Sequence, residues 1–271
     1  MSLGLLRVVA AVVAAGVLAG CGTFRAPQVR GGQGDSGQQE TAGVDTAGED
    51  TAPAPDTAPV RSKPPATRIT YPADGSRRWL VAAGQSGPAA GRGGTLLRYR
   101  VLVERDIEGL ATATFANAVA VTLGAKDGWT AGGQWRFERV GAGQAYDFTI
   151  YLATPDTRDE LCRDVPDGYT SCRSGDKVVL NVARWVKGVP SYGKDLASYR
   201  RYMVNHEVGH RLGHGHELCP GPGEPAPVMQ QQTLGLHGCE PNDAPYVHGE
   251  SYHGPSGAYP DETPAREKGR A

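Results

Sequence analysis

His206-Glu207-Val208-Gly209-His210-Arg211-Leu212-Gly213-His214-Gly215-His216 spells H-E-x-x-H-x-x-G-x-x-H without a gap. It closes a stretch with helical periodicity, so a helix is expected over Leu196 to Leu212. On a helix, positions i and i+4 share a face about 6 Å apart, which lets His206 and His210 aim ring nitrogens at one metal ion. Glu207 lies beside that face, where a carboxylate reaches water on the metal and not the metal itself. Gly213 can take positive φ, so the chain can leave the helix there and swing His216 in as a third ligand. Three neutral imidazoles on one zinc ion leave a fourth position open, the arrangement of a catalytic site and not of a closed structural one. A bare H-E-x-x-H also occurs by chance in solvated helices, but five specified positions in register outweigh that reading. His214 falls at an unspecified position of the motif and is expected to be exposed or to support a ligand. His237, His248 and His253 lie outside the motif and read as ordinary surface histidines.

The motif resembles that of the metzincin metallopeptidases, whose three histidines bind zinc and whose glutamate polarises the attacking water. Pro227-Val228-Met229-Gln230 resembles that family's Met-turn, which sets a methionine beneath the metal. The flanking text, Tyr199-Arg200-Arg201-Tyr202-Met203-Val204-Asn205 and Ala226-Pro227-Val228-Met229-Gln230-Gln231-Gln232-Thr233, is closer still to an uncharacterised family of bacterial secreted metzincin-like lipoproteins. That resemblance runs from about Leu97 to Tyr246. It implies an α+β domain with a mixed β-sheet, a packing helix, an active-site helix and an irregular C-terminal part. It also implies a zinc-dependent endopeptidase, with one catalytic Zn2+ on His206, His210 and His216, Glu207 as general base, Gly213 as motif glycine and Met229 in the turn. Family members pair an extended substrate with a sheet edge beside the zinc, for which Lys177 to Val182 is the candidate. One departure stands out. Some metzincins carry a tyrosine two residues after the Met-turn methionine, as an extra ligand or transition-state donor, and here that position is Gln231. Tyr246 is the candidate to fill the role, against its ordinary reading as a packing residue.

Two other classes share such a site. A non-catalytic, zinc-stabilised binding lipoprotein would be favoured by loss of the glutamate, and Glu207 is present. A zinc amidase acting on cell-wall peptide would use the same ion and base, and the motif does not separate it from a peptidase.

The N-terminus carries an address. Residues 1–20 combine Arg7, an apolar run from Val8 to Leu18, and the small residues Ala19 and Gly20, the layout of a secretory signal. Leu18-Ala19-Gly20-Cys21 resembles a bacterial lipobox, which would lipidate Cys21 and anchor an exported protein on the outer face of the cell membrane; the alternative is a plain signal peptide with an incidental cysteine. Of five cysteines, setting Cys21 aside leaves four, which allow three connectivities. Cys162 with Cys172 and Cys219 with Cys239 is preferred, because each pair would clamp a loop near the motif. No C-x-x-C spacing offers a second zinc site. With 28 basic against 29 acidic residues and no basic stripe, nucleic acid is not an expected partner. The expected partners are a protein or peptide substrate and, through the lipid, the membrane; a monomer is expected.

Composition divides the rest. Residues 21–70, above all Gly22 to Thr67, carry almost no large apolar side chains and read as a disordered tether. A pro-segment in which Asp45, Asp50 or Asp56 reaches the metal is the alternative. Residues 71–249 are long enough for one core, and the polar, Pro/Gly-rich tail 250–271 reads as disordered. Within the domain, Arg78 to Ala82, Leu96 to Glu104, Gln134 to Val140, Tyr146 to Ala153 and Lys177 to Val182 are expected strands. Leu110 to Leu123 carries Phe115, Val119 and Leu123 at helical spacing.

Overall fold

The computed structural model describes residues 68–271; the expected signal segment, Cys21 and the tether as far as Thr67 lie outside the described residues. The chain runs β1 (Trp79–Val81), β2 (Thr95–Glu104), α1 (Thr112–Leu123), β3 (Trp135–Arg139), β4 (Phe148–Ala153), α2 (Pro155–Cys162), β5 (Cys172–Ser174), β6 (Lys177–Asn181), α3 (Val182–Lys187), a 3₁₀ turn at Pro190–Tyr192, α4 (Leu196–Arg211), β7 (Tyr246–Val247) and β8 (Glu250–Ser251). The fold is α+β around a mixed sheet. Its strand order is β1-β2-β4-β6-β5, with β3 also pairing β2. β2, β3, β4 and β6 are mutually parallel where they pair, and β1 and β5 join antiparallel.

The inner strands read as apolar runs because both sheet faces are covered. In β6, Val178 and Leu180 point into the main core with Phe115, Val119 and Val204, whereas Val179 points to the other face and packs with Cys162 and Cys172. That two-residue period places α1 and α4 on one face and α2 on the other. Phe115, Val119 and Leu123 of α1 are fully buried, and Phe115 meets Trp185 of α3 edge-on at 4.8 Å between ring centroids.

Three expectations are corrected. The sheet edge expected at Lys177 to Val182 lies at β5: β6 is interior, between β4 and β5. A tight hairpin pairs Ser174 with Lys177 and adds this three-residue strand, too short and too polar to announce itself. The start of the domain is also earlier than 71, since Thr70 pairs with Glu108. The tail 250–271 is fastened to the domain and not free. Tyr71 and Arg270 exchange backbone hydrogen bonds of 2.8 and 2.7 Å, Arg266 pairs with Asp159, and Glu267 pairs with Arg184 and Lys187. Ion pairs and backbone bonds to distant segments hold it, and composition reports only that the tail has no core of its own. Both preferred cysteine pairs are disulfides, with Cα–Cα distances of 6.0 Å for Cys162–Cys172 and 5.8 Å for Cys219–Cys239. Among the described residues no helix is long and apolar enough to cross a membrane.

Candidate metal centre

α4 is capped by Asp195, whose side chain accepts from the Ser198 amide at 3.0 Å. Tyr199, Tyr202, Val204 and Val208 bury its flank against the sheet, which carries His206 and Glu207 below the surface, 5% and 6% exposed. The helix stops at the expected place. Leu212 caps it and Gly213 takes φ +100°, a conformation that a side chain resists, so the chain reverses and returns His216 to the open side of His210.

The three rings converge. Nε2 of His210 lies 3.2 Å from Nε2 of His206 and 3.1 Å from Nε2 of His216. The opposite nitrogens are engaged: Nδ1–H of His206 donates to the Val228 carbonyl at 2.8 Å, and Nδ1–H of His210 donates to the His214 carbonyl at 2.9 Å. With those protons on Nδ1, the Nε2 lone pairs of His206 and His210 face each other and the third ring, an arrangement that repels unless a cation sits among them. Burial, then the neighbouring rings, holds His206 well below the usual histidine range. Burial first and His210 second bring His216 down to about 4, so these imidazoles are neutral and ready to ligate at neutral pH. The chemistry of the donor set therefore fits a metal ion.

Glu207 fits the second part of the site. Burial pushes its carboxyl up to about 8, against the opposing charge of Arg158, and its Oε2 is buried without a hydrogen-bond partner. An orphan carboxylate oxygen beside three converging imidazoles is the observation that a base acting on water in this site requires. His214 serves the site through its carbonyl, while its ring stacks on Trp129 with centroids 4.5 Å apart.

Against Gly209 of α4, Met229 is 1% exposed in the turn Pro227–Gln230, which is closed by a 2.9 Å bond from the Gln230 amide to the Pro227 carbonyl. Here the structure explains a residue the motif leaves free. A Cβ on Gly209 would fall 2.7 Å from Trp129 Cζ2 and closer still to Met229 Sδ, so only glycine lets both side chains close on the helix. Trp129 also donates to the Asn205 carbonyl at 2.9 Å. The turn itself is strapped down by buried amides. Tyr202 donates to the Gln230 carbonyl at 2.9 Å, and Gln232 binds the carbonyls of Pro227 and Asn242 at 3.1 and 2.7 Å.

The metal cluster opens on a cleft of about 470 Å³. One wall is the loop closed by the Cys162–Cys172 disulfide. It is organised around Arg158, 1% exposed, which pairs with Asp159 at 2.9 Å, Asp164 at 3.2 Å and Asp167 at 3.4 Å. β5 forms the rim beside it, and Gln231 and Thr263 also line the space. Tyr246 does not. Its backbone amide donates to the Asp127 carbonyl at 3.2 Å, its phenol stands against Gly132, and it is absent from the cleft lining, which favours the packing reading. His237 stacks on Tyr259 at 3.5 Å and pairs with Asp261, and His253 pairs with Glu217, next in the chain to His216, with its ring 6.2 Å from that of His214.

No curated protein and no solved structure matches the chain. A family model described as "Protein of unknown function (DUF3152)" matches residues 64–248, a span that contains every residue of the metal centre, and the chain belongs to that family.

Proposed function

We propose that the chain is a zinc-dependent peptidase of metzincin type, exported and held on the outer face of the cell membrane through lipidated Cys21. The observation that carries the reading is the convergence of three Nε2 atoms at 3.1 and 3.2 Å with an unpartnered, buried Glu207 Oε2 beside them. Further support comes from the order of elements: sheet, packing helix α1, motif helix α4, then an irregular part whose buried Met229 packs against Gly209 of that helix.

His206, His210 and His216 would hold the ion, and the neutral donor set with no thiolate suits zinc. Zinc so held supplies Lewis acidity, which acidifies water and polarises a scissile carbonyl. Glu207 takes the proton of the attacking water on its carboxylate and delivers it to the leaving amine, a general acid–base contribution of about 10² to 10⁴ in rate. Its raised affinity for a proton, caused by burial, suits a group that must hold one between those two steps. β5 offers the substrate an edge. The Ser174–Lys177 pair flanks a two-residue turn and is hydrogen-bonded, so the next pair, Arg173–Val178, is not. The Arg173 N–H and C=O therefore face away from β6, free to pair with an extended peptide.

Metal analysis of the full chain, purified without chelator and resupplied with zinc, tests the first half; digestion of a peptide library and of purified peptidoglycan tests the second. One zinc per chain with cleavage of library peptides is expected. A chain that takes up no zinc would overturn the reading, and cleavage of peptidoglycan alone would reassign it to the amidase class.

A further inference from the structure

The cleft contains two guanidinium groups in very different states. Arg158 is buried and neutralised by Asp159, Asp164 and Asp167. Arg173, in the middle of β5, is exposed, lines the same cleft as the three histidines, and makes no ion pair among the described residues. Its direction follows from register. It pairs with Val178, whose side chain lies in the core shared with α4, while the neighbouring pair Cys172–Val179 turns to the α2 face. Cross-strand partners share a face, so Arg173 stands on the α4 side of the sheet, toward the metal helix. Its charge reaches that far: it opposes protonation of both Glu207 and His210.

An unpaired cation on the strand that would align the substrate selects by charge. We propose that Arg173 is a specificity-determining residue that binds a carboxylate of the peptide substrate next to the scissile bond. The carboxylate is either an Asp or Glu side chain or the chain terminus. The inference rests on the peptidase reading for its reaction, but not for its binding step. Arg158 cannot serve instead, because it is 1% exposed and three carboxylates already neutralise its charge.

The test uses the full zinc-loaded chain and mixed-sequence peptide pools with one fixed position, Glu, Gln or Lys, made with blocked ends and again with a free C-terminal carboxylate. The Glu pool is expected to be cleaved about 10-fold faster than the Gln pool, the strength of one charge-assisted hydrogen bond in a half-open site. Arg173→Ala should bring that ratio to about 1, and Arg173→Glu should shift the preference to Lys. Zinc content of each variant reports that the fold is intact. A Glu preference in the blocked pools assigns the side chain, and about 10-fold faster cleavage of free-ended than of blocked pools, alike for Glu and Gln and abolished by Arg173→Ala, assigns the terminus. Equal cleavage of Glu and Gln pools together with equal cleavage of blocked and free-ended pools, or a preference that survives Arg173→Ala, overturns the inference while leaving the peptidase reading standing. If nothing is cleaved, the peptidase reading fails and anisotropy of the same pools, fluorescein-labelled, judges Arg173 alone. About 10-fold tighter binding of acid over amide that Arg173→Ala abolishes then supports it, and equal binding sinks it.

Discussion

Replacing Glu207 by Gln separates the chemistry of the site from its stability, and the two readouts should move in opposite directions. Burial raises the Glu207 carboxyl from an ordinary 4.5 to about 8. In the unfolded chain the group ionises near 4.5; in the metal-free fold it stays protonated until about 8. The unfolded state therefore releases its proton first, and stability is lost as pH rises across that window, at about 1.4 kcal/mol per pH unit. At pH 7 the loss comes to roughly 3 kcal/mol, and at pH 4.5 or below it vanishes. Gln keeps the shape and cannot ionise. In chelator at pH 7 the Glu207→Gln chain should thus melt roughly 6–12 °C above the unaltered chain, given about 2–4 °C per kcal/mol for a domain of this size. At pH 4.5 the two should melt together. With zinc restored, the same variant should retain one ion per chain and lose peptide hydrolysis by about 10² or more, whereas His210→Ala should lose the ion as well. Differential scanning calorimetry across pH, with metal analysis on the same samples, makes the comparison. Equal midpoints at pH 7, or a gap that widens toward acid, would refute the claim that desolvation governs this carboxylate; retained hydrolysis would remove it as the base.

Gly209→Ala should destabilise the chain by about 1–3 kcal/mol in chemical denaturation, because the added methyl collides with Met229 and Trp129; an unchanged midpoint would mean the helix does not seat on the turn as described. Replacing Cys162 and Cys172 together by Ala should cost about 2–3 kcal/mol, the loop-closure entropy for a separation of 10 residues. It should also raise KM more than it lowers kcat, since the freed loop is a cleft wall. Tyr246→Phe should leave kcat within about two-fold, because the phenol lies against Gly132 and outside the cleft; a fall of ten-fold or more would restore it as a transition-state donor.

The site was far more legible than its surroundings, and the reason is geometric. A helix fixes the spacing of its own side chains, so His206, Glu207 and His210 could be placed from the sequence alone, and Gly213 marked the one point where the chain must turn. The inner strands were legible for a related reason: Phe148–Ala153 and Lys177–Asn181 bury both faces and carry mostly apolar text. α2 was not, because its buried face is made of Thr157, Arg158 and Cys162, polar or ambiguous residues that leave no apolar stripe. One signal for it was present, the proline at its first position after Thr154. The edge strand was hidden by its three-residue length and polar text, whereas the fastened tail depends on partners more than 80 residues away in the case of Glu267 and Arg184, and no local pattern encodes such a pairing. Tyr246 shows the converse limit: its chemistry suited a vacant role as well as ordinary packing, and only its placement against Gly132 favours the second.

The irregular C-terminal part is where the precision of the metal centre originates. α4 places His206 and His210 on one face, but rotation about their side-chain bonds would still let the rings swing. What fixes the tautomers is a pair of carbonyls, Val228 and His214, both beyond the helix and outside any strand. A carbonyl can orient a ring only if its own segment is rigid. Val228 is held in the turn whose neighbours are anchored by Tyr202, Gln230, Gln232 and Asn242 through buried bonds of 2.7–3.1 Å. Side-chain amides do there what a β-ladder does in the sheet, satisfying backbone groups that would otherwise be buried unpaired. Loss of Gln232 should consequently weaken zinc affinity although it touches no ligand, while a change of equal size on α1 should affect stability alone; titration with a competing chelator distinguishes them. If both changes left affinity untouched, the helix by itself would be sufficient to orient the rings.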